Sequence, residues 1–476
     1  MSRRAIVWFR NDLRLHDNQV LHEAMRNADE IIPVYIFDER IFKGQTSFGF
    51  DKTGKFRAQF IIEAIHDLRR NLATRGSKLI VRVGKPEDIL SDIAKQAQSS
   101  WVFCNRERTQ EEVRVQDAVE KKLWQIGQEI RYERGKMLYY TADLPFPVSQ
   151  TPETFAIYRK EVERITRVRE PLPAPDKIPG STFNMPEGEI PTVTDFGHTP
   201  FEIDARSTIQ FKGGETEGLA RLKYYLWDSD LIKTYEETRN GLIGSDYSSK
   251  LSVYLSTGCL SPKKIYHELK KYENERGENK STYWLFFELL WRDYFRLVGK
   301  KYGNAIFQIG GLNGNVDKTW RIDENVFKIW SEAKTGVPFI DANMRELNST
   351  GFMSNRGRQN TASFLVKDLK INWLMGASWF ESKLIDYDSC SNYCNWLYVA
   401  GVGIDPRENR YFNILNQALR YDPSGEYIKL WLPELAKVPQ EKIHRPDVLS
   451  TEEQKQFNVK IGTQYPKAVI DTAKWL

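Results

Sequence analysis

The sequence predicts an α/β doubly wound parallel sheet followed by an all-α domain. Three observations carry this expectation. Short β-branched runs alternate with amphipathic stretches through the first third, a proline-dense segment follows, and helical periodicity then replaces strand patterning. Strands buried on both faces read as continuous apolar runs, and their alternation with helices favours a parallel sheet wound on both sides.

Strands are expected at residues 5–9, 31–37, 78–83, 101–104 and 129–133. The helices between them fall at 18–26, 55–73, 86–98 and 111–126. Ligands on such sheets sit beyond the C-terminal strand ends, here at 9–12, 37–40 and 104–108. This gives a first domain over 1–140. Ten prolines then interrupt residues 141–204, but aromatic and apolar residues are interspersed. That composition predicts a long ordered connector with one helix near 152–166. The all-α domain spans 205–476. Within it, Ser261 before Pro262 is a helix start signal, because serine caps and proline is tolerated at the first helical position. Further helices are expected at 341–347, 356–369 and 379–384.

A chain of 476 residues with 41% hydrophobic and 28% charged residues is a globular protein of two domains. No stretch approaches the roughly 20 apolar residues of a membrane span, and the start lacks the apolar run of a secretory leader. A cytoplasmic protein is therefore expected. The net charge of +5 suits a polyanionic partner without requiring one. Cys104, Cys259, Cys390 and Cys394 form no framework or zinc pattern, so reduced structural thiols and no metal are expected. Thirteen tryptophans exceed the usual need of core packing, which admits stacking or electron-transfer roles.

Four clusters carry candidate chemistry. On a helix, Glu288, Trp291, Arg292 and Phe295 share one face, either as an ion-paired stripe or as the wall of a cavity for a flat ligand. Asn355, Arg358, Gln359 and Ala362 form a similar face, and Gly357 beside them hints at close packing. Asp386, Asp388 and Asn392 follow an apolar helix; the spacing lacks the glycine and closing glutamate of a calcium loop and fits a heterocycle better. Ser248, Ser249, Lys250, Leu251 and Ser252 offer hydroxyls, a cation and N–H groups, either as a pyrophosphate cradle or as a solvated helix cap. Trp320, Trp373 and Trp396 lie between these clusters, either as core residues or as a row able to pass a charge outward.

Together the segments resemble the photolyase/cryptochrome family over nearly the whole chain. The resemblance rests on Trp8-Phe9-Arg10-Asn11-Asp12-Leu13-Arg14 with Asp17-Asn18, on the block from Arg345 to Arg356, and on Trp431-Leu432-Pro433-Glu434-Leu435. Gly357-Arg358-Gln359-Asn360, Trp396-Leu397-Tyr398 and Asp341-Ala342-Asn343-Met344 favour its cryptochrome-DASH branch. The resemblance implies an antenna domain followed by an FAD-binding catalytic domain. Tyr235 and the five residues from Ser248 to Ser252 would hold the FAD phosphates. Arg358, Asp386 and Asp388 would line a U-folded FAD, with Asn392 facing flavin N5. Trp396, Trp373 and Trp320 would form the photoreduction chain.

A lesion pocket would be built from Glu288, Trp291, Asn355 and Gln359, with Arg239, Arg292, Arg356 and Gln417 near the DNA. Gln359 and Tyr398 stand where duplex-repairing relatives usually carry Met and Trp. Such a pocket recovers less stacking energy, so repair of cyclobutane dimers chiefly in single-stranded DNA is implied. Methenyltetrahydrofolate is the implied antenna, contacting Arg106 and Glu107. A monomeric photo-lyase is the principal expectation. A light-sensing regulator with little repair and a general single-strand or RNA binder are the rivals.

Overall fold

The computed structural model describes residues 2–314, 316–317, 319–403 and 410–476. Five parallel strands, β1 (Arg4–Phe9), β2 (Glu30–Asp38), β3 (Ile80–Gly84), β4 (Trp101–Asn105) and β5 (Glu129–Glu133), lie in the order β3-β2-β1-β4-β5. Chain order reverses between β1 and β4, which opens a crevice at their C-terminal ends. Helices α1 (Gln19–Asn27), α2 (Lys55–Ala73), α3 (Pro86–Ala97) and α4 (Gln110–Gln125) connect the strands.

The two-residue period of the strands explains the two layers. Ile6, Trp8, Val34 and Ile36 face an outer cluster with residues of α3 and α4. Ala5, Val7, Phe9, Tyr35 and Phe37 belong to the larger core that runs on into the helical half. The connector is ordered and carries α5 (Phe155–Ile165). It returns across the sheet: Ile31 N–H donates to Pro179, Gly180 bridges Ile31, and Phe196 packs on Phe37 and Phe42.

The helical half contains α6 (Glu215–Lys223), α7 (Ser252–Thr257), α8 (Pro262–Arg276), α9 (Lys280–Tyr302), α10 (Glu324–Ser331), α11 (Pro338–Thr350), α12 (Asn355–Ser363), α13 (Trp373–Lys383), α14 (Ser389–Ala400) and α15 (Ile414–Tyr421). Ser261 caps α8 by accepting from the N–H groups of Lys263 and Lys264, as its position before Pro262 suggested. The helix expected over 356–369 ends as an α-helix at Ser363 and continues as a π turn, Phe364–Asp368. Among the described residues, no helix is long and apolar enough to cross a membrane.

Buried polar groups join the two halves. Arg14, 1% exposed, donates to the carbonyls of His16, Asp17, Gly135 and Gly258. Glu215 accepts from the N–H groups of Leu15 and His16 and pairs with the His16 ring at 2.5 Å. Asp293 of α9 accepts from the N–H groups of Leu138 and Tyr139. Gly258 has a φ of 72°, and a Cβ there would strike the Asn11 carbonyl. Removing the Arg14 guanidinium strands several buried carbonyls, each costing about 1–3 kcal/mol. Arg14→Ala is expected to lower the urea unfolding midpoint more than any substitution at exposed Trp124. Equal midpoints would show that the junction contributes little.

Candidate functional site

Helices α12, α13 and α14 converge with the loop 384–388 on one cavity. Asn355, Arg358, Gln359, Asp386, Asp388, Asn392, Trp396 and Tyr398 line it. Eight residues from three sequence clusters therefore meet around one space. Close packing makes this possible. A Cβ on Gly357 would collide with Asn343 of α11, and one on Gly376 with the Trp396 ring, so glycine at both sites lets the helices approach.

The floor is built on two carboxylates. Asp388 caps α14, accepting from Ser391 N–H at 2.9 Å, and pairs with Arg296 of α9 at 2.5 Å. Burial pushes Asp388 up, but Arg296, Arg292 and the Ser391 N–H outweigh it and bring the carboxyl down to about 2. Asp386 accepts from the Ser252 hydroxyl at 2.7 Å and the Arg358 guanidinium at 3.0 Å through Oδ2. Its Oδ1 is buried without a partner, as is Nε of Arg296. Buried polar atoms of this kind ordinarily find hydrogen bonds. Asn392, itself buried, spends its amide N–H on the Ala377 carbonyl at 3.0 Å.

The loop before α7 reaches the same floor through Ser252. Ser248 and Lys250 are left-handed, with φ of 57° and 60°, and Leu251 is right-handed. Such reversals turn successive N–H groups toward one side, the geometry of an anion nest. Tyr235 is buried beside this loop, hydrogen-bonded with Ser248 and Arg239. Lys250 is folded over the Tyr247 ring and donates to the Tyr247 carbonyl at 2.6 Å. Burial and the neighbouring Arg221 pull its amine down to about 6. Ser249 is buried, and its carbonyl accepts from Arg221.

Of the residues expected in the lesion pocket or near DNA, Asn355, Gln359 and Tyr398 line the cavity, whereas Glu288, Trp291, Arg239, Arg356 and Gln417 do not, and most of them are engaged with neighbours. Glu288 forms an ion pair with Arg239, which also lies over the Trp284 ring at 4.6 Å. Arg356 donates to Gln359 and Asn240 and covers Tyr421, while Gln417 accepts from the Asn360 amide at 3.5 Å. Trp291 stacks on Phe155 at 3.7 Å and meets Tyr398 edge-on at 6.2 Å. Tyr398 in turn receives a hydrogen bond from Arg410 at 2.7 Å.

Two expected contacts need correction. Arg292 is not at a DNA-facing surface: it turns inward and donates to the carbonyls of Lys136 and Leu255. Burial and the adjacent Arg296 lower it to about 10. Glu107 is not an open ligand for a pigment, because it is buried against Lys136 at 2.5 Å. Arg106 remains exposed, over the Tyr132 ring at 5.3 Å.

Of the three tryptophans only Trp396 lines the cavity. Trp396 borders it and rests on Gly376. Trp373 starts the same helix and donates to the Ile309 carbonyl at 2.9 Å. The bridge between Arg321 and Ile371 sets half-buried Trp320 beside the chain leading into Trp373. Sequence reading missed Arg296 and Trp330, whose ring meets Trp396 at 6.4 Å. Arg296 was legible as one more turn of the face bearing Glu288 and Arg292; Trp330 carried no local signal.

A second cavity, of about 650 Å³, opens at the sheet crevice. Trp8, Arg10, Tyr35, Asp38, Arg40 and Arg108 line it at the strand ends, and it shares Tyr387 and Asp388 with the first. It lies at the strand ends that chain order singled out.

The Asp388 pair gives a pH test. Its carboxyl titrates at about 2 in the folded chain against an ordinary 3.8, so the stability it confers is present above about pH 4 and is lost on acidification toward pH 2. Asp388→Asn is expected to lower the urea midpoint at neutral pH, with the gap to wild type closing near pH 2. A gap independent of pH would contradict the assignment.

Comparison with known proteins matches this geometry. The description "FAD binding domain of DNA photolyase" fits residues 284–475, and "DNA photolyase" fits residues 5–176. A cryptochrome DASH of Gloeobacter violaceus is 48% identical, covering 99% of this chain and 93% of its own length. The crystal structure of a Synechocystis cryptochrome superposes with a TM-score of 0.96 at 47% identity, covering 100% of this chain and 98% of its own. An archaeal photolyase from Sulfolobus tokodaii, described with two FAD molecules, gives 0.77 at 27% identity over 99% of this chain and 97% of its own. The chain belongs to the photolyase/cryptochrome family, within its cryptochrome DASH branch.

Proposed function

We propose that this chain binds FAD non-covalently in the helical half, 205–476, and repairs cyclobutane pyrimidine dimers under blue light, chiefly in single-stranded DNA. One observation carries the proposal. Arg358, Asp386, Asp388, Asn392 and Trp396 converge on one cavity where buried Asp386 Oδ1 stands unpartnered. This donor and acceptor set fits a heterocycle with several N–H and C=O groups. When bound, reduced FAD would supply the light-driven electron chemistry that opening a cyclobutane ring needs.

The chain's own residues do the rest. Asp386, Arg358 and Asn392 orient the cofactor, and the nest from Ser248 to Ser252 with Tyr235 receives its phosphates. Lys250 swings from Tyr247 toward the charge as it arrives. Glu288, once released from its pair with Arg239, would hydrogen-bond the pyrimidine edge as charge develops there. Asn355, Arg356, Gln359, Trp291, Tyr398 and Gln417 form the lesion pocket and its rim. Gln359 and Tyr398 are both tied into polar contacts, which leaves these two side chains less free to stack on a flipped dimer. Flipping from a duplex costs a few kcal/mol, whereas a single strand presents the lesion at little cost. Trp396, Trp373 and Trp320 would form the photoreduction chain, in that order from the cofactor site. The protein acts as a cytoplasmic monomer, with RNA as a weaker single-stranded ligand.

Residues 1–140 serve as the antenna domain, joined through 141–204. Methenyltetrahydrofolate near Arg106 is the pigment that the DASH branch favours. The 650 Å³ cavity supports a rival seat, since arginines and aromatic rings there suit a flat anionic pigment. Arg106→Ala is expected to abolish the near-UV antenna band, with Arg10→Ala leaving it intact; the opposite pattern moves the pigment to the crevice.

Two experiments test the main proposal. Pre-reduced protein is illuminated with dimer-containing oligonucleotides, single-stranded and duplex in parallel. Dimers are expected to disappear from the single strand at least ten-fold faster. Repair of neither substrate would transfer the function to light sensing. Trp396→Phe is expected to retain FAD yet slow its photoreduction by at least ten-fold, and an unchanged rate would remove the tryptophan chain.

A further inference from the structure

Tyr393 lies one residue beyond Asn392 on α14 but faces away from the first cavity. It lines the larger one, together with Leu374, Ser378 and Glu381. Its ring meets Trp373 at 6.4 Å and 74°, and Phe307 at 4.7 Å. The phenol donates to Glu381 at 3.0 Å. Glu381 is buried, and it faces Arg57 from α2, Tyr387 from the loop below and, at longer range, Glu111.

We propose that Tyr393 is the end of a side branch of the electron relay, giving an electron to oxidised Trp373 while Glu381 takes its proton. The proposal rests on the flavin photoreduction put forward above, in which light-excited FAD is the oxidant and draws electrons through Trp396 and Trp373. The step balances. The Trp373 radical cation gains one electron from Tyr393, the Tyr393 O–H bond breaks, and the proton moves along the existing hydrogen bond to Glu381. Neutral Trp373, a neutral Tyr393 phenoxyl and a Glu381 carboxylic acid result. A buried radical cation and a buried carboxylate are thereby both discharged, which removes the cost of keeping two charges from water.

The alternatives around Trp373 lack this arrangement. The Trp373 ring N–H points at a peptide carbonyl, which is a poor base, and the buried Trp320 ring N–H has no hydrogen-bond partner among the described residues. Tyr387 also bonds to Glu381, but the Arg57 guanidinium covers its ring at 4.5 Å and opposes removal of an electron. Burial raises the Glu381 carboxyl against the opposing pull of Arg57, which strengthens it as a base.

The test uses full-length protein carrying oxidised FAD, flash excitation, and transient absorption with electron paramagnetic resonance. Wild type is expected to give tryptophanyl and then tyrosyl signals. Ring-deuterated tyrosine should narrow the later one, and its formation should slow at least two-fold in D2O. Tyr393→Phe should abolish the tyrosyl signal and Glu381→Gln should reduce it at least ten-fold, both keeping the tryptophanyl signal, while Tyr387→Phe keeps both. A wild type with tryptophanyl signals alone, or a tyrosyl signal that survives Tyr393→Phe, overturns the branch. A wild type that holds FAD but gives no radical of either kind overturns the relay itself, and the branch with it.

Discussion

Two carboxylates two residues apart, Asp386 and Asp388, are held in the interior, and the helical half is organised around keeping them there. An isolated buried carboxylate is too costly to persist unpaired. Arg296 answers Asp388 and Arg358 answers Asp386, and these arginines come from α9 and α12, far apart in sequence. The pairing therefore fixes two helices against one loop. It leaves Asp386 Oδ1, on a residue lining the first cavity, and Arg296 Nε, on a residue lining the second, buried without hydrogen-bond partners among the described residues.

The same logic joins the two halves. Asp12, Arg14, Asp17 and Asn18 form the most recognisable motif at the start of the chain, and all are buried. Their partners are backbone groups and side chains such as Gly258, Ser261 and Lys263 from the helical half. Arg14 and Asp17 of the motif thus act as a junction between the halves. The junction holds the strand ends over Asp388, so that the crevice of the sheet and the floor of the helical cavity share a wall.

The sheet was legible because strand burial and helix amphipathicity are local properties. In the first 140 residues the strand at 129–133 and the helix at 55–73 fall where they were expected and other ends shift by a residue or two, whereas the helices expected at 152–166, 341–347 and 379–384 are Phe155–Ile165, Pro338–Thr350 and Trp373–Lys383. The convergence of Asp386, Asp388, Asn392, Arg358 and Gln359 was legible as chemistry, since each cluster lacked a local partner. What could not be read was direction. Arg292 shares a helical face with Glu288, yet one turn of α9 passes from the outer rim into the domain junction, so the two side chains meet different surroundings. Glu107 follows a strand end, as a ligand contact would, but Lys136 arrives from beyond β5 to neutralise it. The overlong helix at 356–369 came from continuous periodicity, which a π turn at Phe364–Asp368 preserves while shifting register.

The account stands on FAD occupying the cavity above Asp386 and Asp388. The most direct measurement is the flavin content of purified, FAD-supplemented protein, read from the supernatant after heat denaturation. One unmodified FAD released per chain, falling at least ten-fold in folded Asp386→Ala, is the predicted result. Correctly folded wild-type protein that stays colourless with FAD in excess would contradict it.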